Sequence, residues 1–121
     1  MNAEIRNAKI VDTQLGYEDH GIMTCWLMLE GDGWGCGFGG YALDDWEAAK
    51  KDRIGTKSGF NAIIQLMKTL EVEKWEDLKG KYIRCETSGW GGSIGKVGHL
   101  LKDKWFSFEE FFKEEREAEA E

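Results

Sequence analysis

The segment from Trp34 to Gly40 constrains the fold of this chain more than any other. Large side chains alternate there with glycines, and Gly31-Asp32-Gly33 comes directly before them. Strict alternation is the pattern of a β-strand, and a Gly-Asp-Gly turn after the apolar run Met23–Leu29 predicts a β-hairpin. The resulting strand carries side chains on one face and bare backbone on the other.

Two interpretations of this Gly-rich strand stay open. Glycines permit a bulge or a close approach by a helix or a second chain, and a homodimer through this face would use that property. Alternatively, the bare backbone meets the phosphates or bases of a ligand. The ligand would then contact Gly39 and Gly40, with Trp34, Phe38 and Tyr41 as stacking platforms.

Apolar patterns predict further strands over residues 5–15, 23–29, 81–86 and 94–101. The polar segment 44–57 predicts a short helix, capped by Asp44, followed by a loop.

Two more helices have stronger signals. The first is predicted to begin at Ser58 as its N-cap and to place an apolar stripe on the core: Phe60, Ile63, Ile64, Met67 and Leu70. At the C-terminus, Ser107 and Glu110 form a capping-box pattern, and Phe106 and Phe111 are spaced as a hydrophobic staple.

These elements predict an α+β protein with a mostly antiparallel sheet of about five strands, in the order β-β-β-α-β-β-α. A helix between the third and fourth of five strands is also the element order of an OB-type barrel. The expected organisation is one α+β domain over residues 1–106 and a C-terminal helix with an acidic tail over residues 107–121.

The charge of the chain is unevenly distributed. Its net charge is −7, of which residues 108–121 carry −5 and residues 1–107 only −2. Strong nonspecific binding to duplex DNA requires a net basic surface and is therefore not expected. A smaller nucleic-acid surface on the nearly neutral body stays open.

The chain is expected to be soluble and cytoplasmic. Its N-terminus has no signal-peptide pattern, and no apolar run is long enough to span a membrane. Cys25, Cys36 and Cys85 are odd in number and form no Cys-x-x-Cys pair, which favours a reducing compartment.

No catalytic, metal or cofactor site is predicted. The Gly35–Gly40 string matches a dinucleotide-binding motif but lies inside a strand rather than before a helix, and the 91–96 segment is one residue short of a P-loop. His20 and the cysteines lack the spacing of a zinc site. A non-enzymatic protein without a cofactor is expected.

Two basic groups are candidates for a binding groove. Lys50, Lys51, Arg53 and Lys57 precede the main helix, and Lys79, Lys81 and Arg84 surround the fourth predicted strand. If they converge near Trp90 or Tyr82, the groove would bind single strands by stacking and charge. The alternative is ordinary solvated lysines.

The segments LGYEDHG (15–21), GFGGYALD (37–44), VEKWEDLKGKYIR (72–84) and GHLLKDKWF (98–106) resemble those of a family of short, uncharacterised phage and prophage proteins. The resemblance implies a setting, a virus or integrated element inside a bacterial host cell, and no activity. Residues 58–86 are also remotely similar to phage single-strand-binding proteins of the OB type.

The resemblance and the many aromatic residues lead to one functional expectation. The chain is expected to be an accessory binding protein that neutralises a bacterial defence component, either by blocking a host protein or by sequestering a nucleotide ligand. The alternative is an OB-like protein that binds single-stranded nucleic acid.

Overall fold

The protein folds as a curved antiparallel sheet with two α-helices, and the computed structural model describes residues 3–88 and 93–120. The strands are β1 (Glu4–Tyr17), β2 (Met23–Gly31), β3 (Trp34–Gly39), β4 (Asp44–Glu47), β5 (Asp52–Gly55), β6 (Tyr82–Thr87), β7 (Ile94–Gly98) and β8 (Trp105–Phe106). The helices are α1 (Lys57–Leu70) and α2 (Phe108–Ala120). The predicted α+β class with a mostly antiparallel sheet and a C-terminal helix is confirmed.

Strand β1 is the centre of the main sheet, whose order is β3-β2-β1-β6-β7-β8. The first half of β1 pairs with β6 and the second half with β2, and Lys9 lies opposite both Tyr82 and Glu30. Helix α1 lies between β3 and β6 in the chain, and β3 also approaches β7. Within the described residues no ladder joins β3 to β7, so the sheet curls without closing by hydrogen bonds.

A bulge in β1 makes this curvature possible. Ile10 pairs with Leu29 and Asp12 with Met28, so Val11 is an extra residue without a partner on β2. A bulge bends its strand and increases the local twist. The simple alternation predicted for this strand therefore holds only on each side of Val11.

The core contains apolar side chains from the sheet and from both helices, and Phe108 at the start of α2 lies near its centre. The Phe108 ring is 5.2 Å from Phe38 and 4.9 Å from Phe106, measured between centroids. The N–H of Glu110 donates to Ser107 Oγ at 3.3 Å, and the rings of Phe106 and Phe111 are 5.8 Å apart. The predicted Ser107 cap and hydrophobic staple are thus confirmed, and they bring the first turn of α2 into the core.

The short helix predicted over residues 44–57 is wrong. That segment forms the β4–β5 hairpin, in which Trp46 pairs with Arg53 and Asp44 with Gly55. Asp44 caps no helix. Its carboxylate instead accepts hydrogen bonds from the backbone N–H of Met23 and the guanidinium of Arg53, and these contacts hold the segment extended.

Helix α1 is confirmed, but its cap and its buried face differ from the prediction. Thr56, rather than Ser58, is the N-cap, with Oγ1 accepting from the N–H of Gly59 at 2.9 Å. Phe60 is 69% exposed. The buried face of α1 consists of Gly59, Ala62, Leu66, Thr69 and Leu70.

The C-terminal part of the sheet is more divided than predicted. The strand expected over residues 94–101 ends at Gly98, and the added strand β8 follows at Trp105–Phe106. The Gly-rich turn predicted around Trp90 lies outside the described residues.

Candidate functional site

A concave groove of about 540 Å³ lies between the β1–β2 turn and the β4–β5 hairpin. We call it the aromatic groove, and its lining residues are Tyr17, His20, Gly21, Trp46, Asp52 and Arg53. Tyr17 is 72% exposed and Trp46 is 58% exposed. Large aromatic side chains left open on the wall of a concave site are typical of a ligand-binding surface.

The β4–β5 hairpin positions Trp46 beside Arg53. The two residues are direct cross-strand partners, which places their Cβ atoms about 5 Å apart. In each strand the preceding aspartate also bonds to the backbone of the groove residue, because the N–H of Trp46 donates to Asp45 Oδ1 and the N–H of Arg53 donates to Asp52 Oδ1. Indole and guanidinium therefore line the groove from adjacent strands.

Asp44 fixes the orientation of Arg53. Arg53 Nη2 donates to Asp44 Oδ1 at 2.8 Å and Nε donates to Oδ2 at 3.1 Å, the bidentate geometry that suits a guanidinium and a carboxylate. The Asp44 side chain is 5% exposed and the Arg53 side chain 25% exposed. The hydrogen bond from Arg53 holds the pKa of Asp44 below its ordinary value, so the pair stays ionised near neutral pH.

Within the described residues, Nη1 of Arg53 makes no hydrogen bond, although a guanidinium carries five N–H donors. It can therefore donate to a ligand while Nε and Nη2 hold Asp44. Because Asp44 compensates the charge of Arg53 and Asp52 adds a further carboxylate, the net charge of the groove is about −1. Its chemistry is stacking plus directed hydrogen bonds rather than attraction of a polyanion.

The β1–β2 turn forms the other wall of the groove. Tyr17 ends β1, and the backbone then passes through left-handed conformations at His20 (φ 70°) and Gly21 (φ 73°) before β2 begins. Glu18, next to Tyr17, accepts a hydrogen bond from the indole N–H of Trp26 on the opposite side of the turn.

Trp26 also explains the Gly-rich strand. A Cβ on Gly37 would lie 3.0 Å from the Trp26 ring, and one on Gly40 would lie 2.4 Å from it. At Gly39 the Cβ would lie 2.2 Å from the carbonyl oxygen of Cys25. These glycines thus permit close packing within the chain, and Gly39 and Gly40 meet Trp26 and the β2 backbone instead of forming an open ligand surface.

The aromatic residues predicted from the Gly-rich segment are not open platforms. Phe38 is 3% exposed and belongs to the core. Trp34 is half-buried against the core, with the guanidinium of Arg6 6.0 Å from its ring centroid. The ring of Phe38 is therefore not available to stack on a ligand, whereas the role predicted for the half-buried Trp34 stays a prediction.

Tyr41 lies in a second cavity of about 510 Å³ between residues 41–45, residues 56–58 and α2. Its ring stacks on Phe108 with a centroid distance of 5.4 Å. Carboxylates from Asp45, Glu109, Glu115 and Glu119 line this cavity, with Arg116 as the basic residue among them. An anionic ligand would be repelled there, so Tyr41 does not share a nucleotide site with Arg53.

The remaining predicted residues are dispersed. Lys57 is exposed at the first position of α1, and Arg84 lies on β6, donating to the carbonyls of His99 and Lys102. Trp90 is outside the described residues. The two basic groups expected to converge occupy different elements, and of the predicted ligand residues only Arg53 lines the aromatic groove.

Sequence reasoning missed Tyr17 and Trp46. No motif marks Tyr17, and Trp46 lies in the polar segment for which the sequence predicts a short helix and a loop. Trp46 carries a usable signal, because a Trp in the segment DDWEAAKKDR has no large apolar neighbour with which to enter a core.

No protein-family model, curated protein or solved structure matches the chain. The function is therefore argued from the groove itself. In the described parts of the chain, no three His, Cys, Asp or Glu side chains converge in a way that could hold a metal ion. Neither α1 nor α2 has the length and apolarity needed to cross a membrane.

Proposed function

We propose that this protein is a non-catalytic binding protein that captures a nucleotide in the aromatic groove, with the base stacked on Trp46 or Tyr17. The observation that supports this proposal is the pairing of an exposed Trp46 with a pre-oriented Arg53 on one concave surface. Stacking of a base on an aromatic side chain contributes roughly 1–3 kcal/mol.

The size of the groove supports a small ligand. Its volume of about 540 Å³ falls within the 300–1,000 Å³ typical of small-molecule sites. Arg53 Nη1 would donate to an acceptor on the base edge or to a phosphate oxygen. His20 and Asp52 add polar groups on opposite sides, as expected in a site that fixes the orientation of a planar ligand.

The proposed role in a cell follows from the phage-type resemblance. Of the two expected modes, blocking a protein and sequestering a nucleotide, the aromatic groove favours the second. A phage-type binder without catalytic groups would act stoichiometrically, by lowering the free concentration of a nucleotide signal that a bacterial defence system requires.

Calorimetric titration with AMP, GMP, CMP and UMP tests the proposal, with ribose 5-phosphate as the ligand that lacks a base. We expect at least one nucleotide to bind while ribose 5-phosphate does not. Because one stacked base is worth roughly 1–3 kcal/mol, Trp46→Ala should weaken binding about tenfold or more. Phe60→Ala is the matched control, since Phe60 is a similarly exposed aromatic residue on α1.

Three outcomes would contradict the proposal: no heat with any nucleotide, equal binding of ribose 5-phosphate, or equal losses in the Trp46 and Phe60 variants. Circular dichroism of each variant checks folding. A positive result is then extended to cyclic and dinucleotide ligands, and to a phage infection assay in which Trp46→Ala abolishes any anti-defence effect.

A further inference from the structure

The outer face of the β1–β6–β7–β8 part of the sheet carries a set of cations and aromatic rings that the aromatic groove does not use. Cross-strand pairing places Lys9 opposite Tyr82 in one row. The next row runs Asn7–Arg84–Gly98–Trp105, and the third runs Ile5–Glu86–Lys96. Neighbouring strands are about 4.8 Å apart and successive rows about 7 Å apart along a strand.

Gly98 creates the centre of this surface. A Cβ at position 98 would lie 2.6 Å from Cε3 of Trp105, so only glycine lets the indole lie across β7. The guanidinium of Arg84 and the ammonium of Lys96 are then 4.7 Å and 4.9 Å from the Trp105 ring centroid. Arg84 is itself fixed by hydrogen bonds to two backbone carbonyls, which makes the arrangement rigid.

Tyr82 provides an open ring beside this centre. It is 58% exposed, and the ammonium of Lys9 lies 5.7 Å from its ring centroid. We call the set Lys9, Tyr82, Arg84, Lys96 and Trp105 the cationic face. Glu86 lies 3.6 Å from Lys96, Glu30 on β2 lies opposite Lys9, and Asp103 accepts a hydrogen bond from the indole N–H of Trp105, so the three cations of this face occur together with three carboxylates.

We propose that the cationic face binds single-stranded nucleic acid, with bases stacking on Tyr82 and phosphates contacting Lys9, Lys96 and Arg84. Lysine and arginine side chains interleaved with aromatic rings can bind single strands without sequence preference, because the cations contact phosphates and the rings stack on bases. A duplex keeps its bases inside and would leave the exposed Tyr82 ring without a partner. This surface is separate from the aromatic groove, and the proposal does not depend on nucleotide capture.

Fluorescence anisotropy with labelled oligo(dT) and oligo(U) at low salt tests this proposal. We expect oligo(dT) and oligo(U) to bind more tightly than a duplex of the same length. Comparing their affinities shows any preference between DNA and RNA. Tyr82→Ala should weaken binding about tenfold through lost stacking. Lys9→Gln should weaken binding and lower the slope of log K against log salt by about 0.7 for each lost phosphate contact, the value for single strands.

Matched control variants distinguish binding at the cationic face from a general effect of charge and from binding in the aromatic groove. Lys57→Gln removes an exposed lysine on α1, and Phe60→Ala removes an exposed ring. Both variants should bind the oligonucleotides as the unaltered protein does. A loss confined to Trp46→Ala would assign the oligonucleotide to the groove and overturn this proposal while leaving the first one standing.

Gly98→Ala gives an independent readout, because it displaces the Trp105 ring while leaving every charge in place. We expect a several-fold loss of oligonucleotide affinity, with the fold checked by circular dichroism. If Gly98→Ala does not fold, Tyr82→Ala and Lys9→Gln still test the proposal, because they change exposed side chains. No binding at low salt, equal binding of duplex, or displacement of the oligonucleotide by polyglutamate at equal concentration would each overturn it.

Discussion

Arg53 and Asp44 form a bidentate ion pair that connects the β4–β5 hairpin to the main sheet. Asp44 Oδ2 accepts from Arg53 Nε at 3.1 Å and from the backbone N–H of Met23, at the start of β2, also at 3.1 Å. One carboxylate thereby holds the guanidinium of the aromatic groove and attaches the hairpin to β2 of the main sheet. The pair is both structural and part of the candidate site.

Asp44→Ala is expected to destabilise the protein by roughly 1–3 kcal/mol, because the Met23 N–H and the Arg53 guanidinium lose their acceptor. The pKa of Asp44 is lowered in the folded state, mainly by the hydrogen bond from Arg53. The contribution of Asp44 is therefore complete above the ordinary pKa of an aspartate and is lost as pH falls through the lower folded value. Urea denaturation at neutral and acidic pH measures it.

The control for this experiment is Glu73→Ala, which removes an exposed carboxylate of the same charge. We expect its effect on the unfolding free energy to stay within about 0.5 kcal/mol. If Asp44→Ala changed the unfolding free energy as little as Glu73→Ala does, or if its effect grew toward acidic pH, the ion pair between Asp44 and Arg53 would not stabilise the fold.

Glu71 is expected to titrate at unusually low pH. It ends α1 in a left-handed conformation (φ 56°), and its Oε2 accepts from Lys102 Nζ at 2.7 Å and Lys104 Nζ at 3.0 Å. The hydrogen bond from Lys102, followed by that from Lys104, lowers the pKa of Glu71 to about 2. Its stabilising effect should be complete above the ordinary pKa of 4.5, decline as the pH falls toward about 2, and weaken with salt, because the side chain is 35% exposed.

Carbon-13 NMR titration of the Glu71 carboxyl measures this pKa directly. In a double variant with Lys102→Ala and Lys104→Ala, the pKa should rise toward the ordinary value of 4.5. An unchanged midpoint in the double variant would show that the two lysines do not cause the shift.

The sequence predicts those strands and helices in which apolar residues recur at a regular spacing. It does not predict which face of each element is buried. The alternation from Trp34 to Phe38 correctly predicts β3, but which face points inward is decided by Phe108, far away in the chain. In α1, two apolar stripes compete. The stripe containing Ala62 and Leu66 is buried because Gly59 lets the helix approach Leu43, an approach that no local pattern encodes.

The aromatic groove was not predictable for the same physical reason. Its hairpin has short polar strands without alternation, and contacts between distant residues hold it extended, from Asp44 to Met23 and from Thr56 to Leu43. A local pattern of Asp, Lys and Ala favours a helix when those contacts are unknown. The basic pattern of the sequence includes Arg53 among the candidates, whereas Tyr17 and Trp46 are recognisable only from their exposure beside it in the structure.

Gly40→Ala is expected to destabilise the protein by at least about 1–2 kcal/mol. The residue has φ +84°, a conformation that costs about that much for any residue with a Cβ, and the added Cβ would lie 2.4 Å from the Trp26 ring. Gly55→Ala is the matched control, because a Cβ there has open space. Equal denaturation midpoints for the two variants would mean that Trp26 does not pack on Gly40.

The three cysteines are expected to differ sharply in reactivity toward a thiol reagent. Cys25 and Cys85 are 2% and 0% exposed, and burial raises the pKa of Cys25 to about 12 and that of Cys85 to about 11. Because the thiolate is the reactive species, neither should react in the native protein near neutral pH.

Cys36 on β3 is only half-buried. Native protein should therefore show one accessible thiol by Ellman titration, Cys36→Ser none, and both proteins their full complement in denaturant. Rapid labelling of native Cys36→Ser would show that the core around β2 and β6 opens far more readily than its packing implies.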